Sequence, residues 1–225
     1  MNEATATAQV KVWDIVVRSG HWLLVAGFIA AYVTHESADR GLSGTIHIWA
    51  GYAVGAVLLM RIVWGFTGTR YARFKSFLFS PRHALRYLGQ LLRRDSPRYI
   101  GHSPAGAAMI FAPILSVGAT VGTGVYLLAQ DGRGPLTPFV EQVVRPARPA
   151  FQPGQGPGPG QRPQGQGQPN VMRAAHDFFT TLSLVLIFLH LAGVFWASFA
   201  HHENLAKSML TGRKRAGGTE TVPNP

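Results

Sequence analysis

The sequence predicts an all-α fold, a four-helix bundle lying in a membrane. Three observations point to it. Four apolar runs are each long enough to cross a hydrocarbon core that takes about 20 residues of helix. Charged residues make up 14% of the 225-residue chain, against about 25% in soluble domains. Most of the 21 Lys and Arg residues fall between the apolar runs, where a membrane protein places them.

The chain opens with residues 1–11, small and polar, with no basic region or small-residue cleavage site, so no cleaved signal peptide is expected. The first span is expected over about 12–33, interrupted by Asp14, Arg18, Ser19 and His21. A short polar loop with His35, Glu36, Asp39 and Arg40 leads to the second span, about 45–66. His47 stands at its start, with Gly51 and Gly55 following at i+4 and i+8 on the same face. Glycine there lets a flat ring system or another backbone come close.

Residues 67–104 are strongly basic, carrying Arg70, Arg73, Lys75, Arg82, Arg86, Arg93, Arg94 and Arg98. Within them Ser80-Pro81 reads as a helix start. Leu85, Leu88, Leu91 and Leu92 then form an apolar stripe against arginines, which predicts a short interfacial helix between spans two and three. The third span, about 104–129, carries no charged residue and no histidine, so it is expected to pack the bundle and ligate nothing. Its Gly118 and Gly122 form a small-xxx-small contact face.

Residues 151–170 are almost wholly Gly, Pro and Gln, a composition that cannot bury enough apolar surface to fold. They are expected to be a disordered outer loop inserted before the fourth span, about 171–200. Residues 1–215 then form one four-span domain and 216–225 a flexible tail. The basic 67–104 loop and the basic C-terminal region lie an even number of spans apart. By the positive-inside rule both, and the N-terminus, are expected in the cytoplasm. The net charge of +11 therefore suits anionic lipid and topology, and nucleic acid is not an expected partner. The absence of cysteine excludes disulfides, covalently attached c-type haem and thiolate-bound iron–sulfur clusters in this chain.

The chemistry lies in the histidines. His176 and His190 are 14 residues apart in the fourth span, roughly 40° apart around the helix and about 21 Å along it, so they share a face. One helix thus offers two imidazoles at two depths. Following the chain through the membrane pairs them by height: His47 with His176 toward the outer side, His21 with His190 toward the inner side. Unpaired polar groups are costly in lipid, so four intramembrane histidines matched in depth point to ligation. Two bis-histidine b-type haems fit this pattern, with His21, His47, His176 and His190 as iron ligands. Arg18, one turn before His21, and Arg61, at a similar depth, are candidate partners of haem propionates. Snorkelling to lipid phosphate is the competing reading of both. The tryptophans Trp13, Trp22, Trp49, Trp64 and Trp196 fall mostly near span ends, as an aromatic belt would place them.

These stretches resemble the bacterial cytochrome b561 and nickel–iron hydrogenase b-type cytochrome family. The resemblance rests on Val12-Trp13-Asp14, Arg18-Ser19-Gly20-His21-Trp22, His47-Ile48-Trp49-Ala50-Gly51-Tyr52, the run Arg61 to Gly68, His176 with His190, and His202-Glu203-Asn204-Leu205 with Met209 to Lys214. It covers spans one, two and four and the C-terminal region. It implies four helices, two non-covalent haems stacked across a bacterial inner membrane, and ligands from spans one, two and four. The Pro/Gly/Gln tract is an addition to the family's compact pattern.

The expected function is electron transfer between an outer redox partner, such as a c-type cytochrome or a hydrogenase-like subunit, and a quinone or soluble partner. An electron-transfer subunit is expected over a stand-alone enzyme. A second reading is a self-contained superoxide/quinone oxidoreductase, which needs a basic funnel at the outer face. A third is a non-redox membrane protein such as a transporter or zinc-binding assembly factor. The broken helices and paired acidic residues of transporters are not seen in the sequence.

Overall fold

The computed structural model describes residues 8–35, 41–139 and 171–217. The Pro/Gly/Gln tract at 151–170 and the last residues of the tail lie outside them. Among the described residues, four helices are long and apolar enough to cross a membrane: α1 (Ile15–Val33), α2 (Gly41–Thr67), α4 (Pro104–Gln130) and α5 (Val171–Ala200). Between α2 and α4 lies α3 (Pro81–Leu92), and after α5 comes the short α6 (Leu205–Thr211). Two three-residue strands, β1 (Gln9–Lys11) and β2 (Arg213–Arg215), pair antiparallel. The helices carry much exposed apolar surface, including Trp49, Phe66, Phe188 and Phe195. That is the surface lipid covers, and water would penalise it.

The chain divides into two compact units, Met1–Leu115 with Ser183–Pro225, and Ser116–Leu182. In the first, α1 and α2 run antiparallel along a close seam. A Cβ at Gly20 would stand 3.1 Å from Met60 Cε, and one at Gly27 would stand 2.8 Å from Val54 Cγ2. Only a missing side chain lets the two helices approach that far. In the second unit, Ser116 Oγ donates to the Phe179 carbonyl at 3.2 Å, tying α4 to α5.

Helix α1 begins three residues later than the hydropathy suggests. Asp14 caps it, its carboxylate accepting from Val17 N at 2.9 Å. The residues before it are drawn into β1, which the sequence reading did not anticipate. The turn that makes this possible is Gly212, at φ +78. Its carbonyl accepts from Val12 N at 2.9 Å and from Trp13 N at 3.1 Å. A Cβ on Gly212 would lie 2.6 Å from the Trp13 carbonyl, and the left-handed φ also favours glycine.

The interfacial helix forms where Ser80-Pro81 predicted it. Ser80 Oγ accepts from His83 N at 3.3 Å, and Pro81 occupies the first helical position. Its buried face is Tyr87 and Leu91, which join Tyr99 and pack against Trp196, Ala197 and Ala200 of α5. Leu85, Leu88 and Leu92 stay exposed. A second cluster of Val12, Trp13 and Ile100 packs with Val10, Tyr71 and Met209. The basic 67–104 segment, the N-terminal strand and the C-terminal segment therefore meet at one end of the first unit, as an even number of spans requires.

Three tryptophans expected in an aromatic belt do other work. Trp13 is buried and donates to Ser208 Oγ at 3.3 Å. Trp64 Nε1 donates to Asp14 at 3.0 Å, and Trp196 Nε1 donates to the Leu91 carbonyl at 3.0 Å. Their ring N–H groups are used up by the cap of the helix bundle, not by the lipid interface.

Candidate functional site

Within the first unit, α1 and α5 bring His21 and His190 together. Their ring centroids are 6.3 Å apart and their planes are inclined at 58°. Both rings are half-buried, and among the described residues neither makes a hydrogen bond. Trp22 stands edge-on to His21 at 5.3 Å. Two imidazoles without polar partners in an apolar span are costly unless something else satisfies their nitrogens.

The α1–α2 seam sets the level of His47. Its Nδ1 meets the Ala31 carbonyl at 2.8 Å. A carbonyl only accepts, so Nδ1 carries the proton and Nε2 the lone pair. Ala31 lies ten residues beyond His21 on α1, so the two imidazole levels differ by about 15 Å of helix rise. The structure places His47 in the second turn of α2, because the helix starts four residues earlier than expected, at Gly41.

In the second unit the same device recurs on His176. Its Nδ1 lies 3.0 Å from the Thr120 carbonyl and 3.2 Å from Thr123 Oγ1. Thr123 gives its own hydroxyl proton to the Ala119 carbonyl at 2.7 Å, so its oxygen accepts from the imidazole. Again the lone pair falls on Nε2. A Cβ at Gly124 would stand 3.0 Å from His176 Cε1, so glycine there leaves room for the ring. The third span does more than pack: Thr120, Thr123 and Gly124 hold a histidine of the fourth. The pair Thr120 and Thr123, one turn apart in an otherwise apolar span, was the sequence signal for this. Added Cβ atoms at Gly118 and Gly122 would meet nothing within 4 Å, so the tight contact lies at Gly124 instead.

Arg18 and Arg61 are drawn to the capping end of the first unit. Arg18 donates through Nη1 to the Thr211 carbonyl at 3.5 Å and through Nη2 to the Leu210 carbonyl. Its Nε is buried with no hydrogen-bond partner among the described residues, one turn from His21. Arg61 donates to the Ala72 carbonyl at 3.3 Å and stacks over Phe74, 5.1 Å from the ring centre. Gly51 and Gly55 are half-buried on α2, and a Cβ at Gly51 would meet nothing within 4 Å.

The cap beside these helices is a polar network. Asp14 accepts from Thr69 Oγ1 at 2.6 Å besides Trp64 and Val17. Burial works to raise its pKa, but these hydrogen bonds outweigh it and hold the carboxyl below its usual range. Glu203 is clamped by Arg98 at 2.8 Å and Lys214 at 3.8 Å. Its pKa is also lowered, burial being overcome by those cations and the Arg215 amide. His102 is packed between Phe77 at 4.3 Å and Trp13 at 4.5 Å. Burial, with Arg61 and Lys214 adding to it, drives its pKa down to about 3. His201 faces Tyr87 Oη at 3.3 Å and Ser96 Oγ at 3.4 Å and is lowered by burial first.

Imidazoles held in apolar spans are what a membrane cytochrome of the b type requires, and the comparison of sequences gives the family. The chain belongs to the prokaryotic cytochrome b561 family, whose model matches residues 12–212. It is a multi-pass protein of the bacterial inner membrane. One relative, from Bradyrhizobium diazoefficiens, is named "Probable Ni/Fe-hydrogenase B-type cytochrome subunit" and is 29% identical over 155 residues, 58% of this chain and 62% of that protein. Another, from Escherichia coli strain K12, is named "Probable Ni/Fe-hydrogenase 1 B-type cytochrome subunit". It is 30% identical over 145 residues, 54% of this chain and 61% of that protein. The chain thus matches about three fifths of the length of these relatives. No solved structure matches it.

Proposed function

We propose that this chain is a transmembrane electron-transfer subunit holding two b-type haems, one between His21 and His190 and the other between His47 and His176. The observation that carries the reading is the separation of the first pair. Imidazole nitrogens bind a metal at about 2.0–2.1 Å, so two rings roughly 6 Å apart could hold one iron between them. His21 and His190 are 6.3 Å apart. The Nε of Arg18, buried and without a hydrogen-bond partner among the described residues, would suit a propionate of a haem held by His21.

Bound haem supplies one-electron redox chemistry. The chain's part is to ligate, to orient and to keep water out. The carbonyls of Ala31 and Thr120 fix the tautomers of His47 and His176, so that each presents Nε2. The level difference between His21 and His47 supports two sites, one nearer each side. The basic 67–104 segment and C-terminal segment support a cytoplasmic location for that end. The names of the relatives support a hydrogenase-like partner. A c-type cytochrome is the alternative outer partner, and a quinone or soluble protein completes the path.

The test is a redox titration of the purified protein with haem and protein both counted. The reading requires low-spin b-type bands, two haems per chain and two midpoint potentials. A protein purified without haem, or with zinc in its place, refutes it.

A further inference from the structure

A pocket of about 580 Å³ opens at the capping end of the first unit, between the terminal strands β1 and β2 and helix α6. It has no part in the histidine sites. Gln9, Lys207, Arg213, Lys214 and Arg215 are among its walls, with Glu203 as the acidic residue. The Glu203 charge is already matched by Arg98 at 2.8 Å and Lys214 at 3.8 Å, which leaves the wall net positive. Lys207 Nζ and the Arg213 guanidinium are exposed and have no side-chain partner among the described residues. Arg215 uses one guanidinium nitrogen on the His201 carbonyl at 3.2 Å and keeps its other donors.

The position of the pocket is as telling as its charge. Helix α5 ends at Ala200, and α6 begins only five residues later at Leu205. The pocket mouth is therefore at the edge of the membrane span. Leu210, on the same short helix as Lys207, is exposed. Cations gathered in a concave site beside an apolar surface match a group that is itself anionic at one end.

We propose that this pocket binds a phosphate group, through Lys207, Arg213 and Arg215. A phosphate reaches it from either an anionic phospholipid or a free phosphoanion. Gln9 of β1 and Arg213, Lys214 and Arg215 of β2 form two of its walls.

The test uses the full, haem-loaded protein stripped of lipid in neutral detergent. Native mass spectrometry with phosphatidylglycerol, and with phosphatidylcholine as control, is run on the wild type, on the Lys207→Gln/Arg213→Gln variant and on Arg82→Gln. Arg82 is exposed on α3 and lines no part of the pocket. Each surface cation is worth about 1 kcal/mol toward an anionic lipid, so the double variant should bind phosphatidylglycerol at least about tenfold more weakly. Arg82→Gln and the haem spectrum should not change. Inorganic phosphate is added in a parallel thermal-shift series. Stabilisation by phosphate alone, lost in the double variant, assigns the site to a soluble anion; phosphatidylglycerol retention without it assigns the site to lipid. Equal lipid affinity in wild type and double variant with no phosphate effect overturns the proposal. So does an equal loss in Arg82→Gln, which would show that only diffuse charge is at work.

Discussion

His21 of the first span and His190 of the fourth face one another with ring centroids 6.3 Å apart, and neither imidazole makes a hydrogen bond among the described residues. The two residues are 169 positions apart in the chain, so this approach is a product of packing alone. It yields the first prediction. His190→Ala and His21→Ala should each lower haem content from two per chain to one, and each should remove the same midpoint potential. Pyridine haemochrome analysis against protein concentration checks this. Unchanged stoichiometry in both variants contradicts the assignment.

Thr123 and Gly124 set the environment of His176. Thr123→Val removes one acceptor from the Nδ1 proton while the Thr120 carbonyl keeps the tautomer. The imidazole becomes a poorer electron donor, so the potential of its haem should rise, while Thr123→Ser should keep it near the wild-type value. Gly124→Ala introduces a Cβ 3.0 Å from His176 Cε1 and should alter the low-spin electron paramagnetic resonance signal of that haem alone. Potentiometry of the two variants separates donor strength from ring orientation.

Asp14 carries three partners at once: the Val17 amide, the Trp64 ring N–H and the Thr69 hydroxyl. Asp14→Ala removes the cap of α1 and strands one part-buried donor, the Trp64 ring N–H, while the exposed Thr69 hydroxyl turns to water, at a cost of about 2–4 kcal/mol. Asp14→Asn retains an acceptor oxygen and should lose less. Thermal unfolding in detergent, followed at the haem absorbance, ranks the three proteins.

The aromatic cage of His102 predicts acid sensitivity. Its folded pKa is about 3, below the 6.5 of the unfolded chain. Above pH 6.5 it is neutral in both states and contributes nothing to the slope. As pH falls from 6.5 toward 3 only the unfolded state takes up the proton, so stability falls by about 1.4 kcal/mol per pH unit. His201 is shifted in the same direction and adds to the slope. The lowered carboxylates Asp14 and Glu203 add their losses only below about their unfolded values. His102→Phe should therefore flatten the melting-temperature profile between pH 6.5 and about 5.5, above the onset of the carboxylate losses.

Much of this was legible in the chain. The fourth helix falls at Val171–Ala200 as expected, and the third within a residue, because long apolar runs leave no other choice in lipid. The interfacial helix was announced by Ser80-Pro81. The reading went astray where a residue's use depends on distant partners. Trp13, Trp64 and Trp196 looked like belt residues, yet each donates to an atom at least 50 positions away. The third span looked inert, yet its Thr120 carbonyl meets a ring 56 residues later.

By itself, the sequence determined the number of spans and the recurrence of imidazoles on one helical face. Hydropathy and the 3.6-residue period are local properties that any reader of the chain can apply. Only the tertiary structure decided which nitrogen of His47 and His176 keeps its proton, that Gly212 meets Val12 and Trp13, and that the rings of His21 and His190 face one another with centroids 6.3 Å apart. Those outcomes depend on where another helix puts its carbonyls and side chains, and on the close approach that Gly20 and Gly27 allow between α1 and α2.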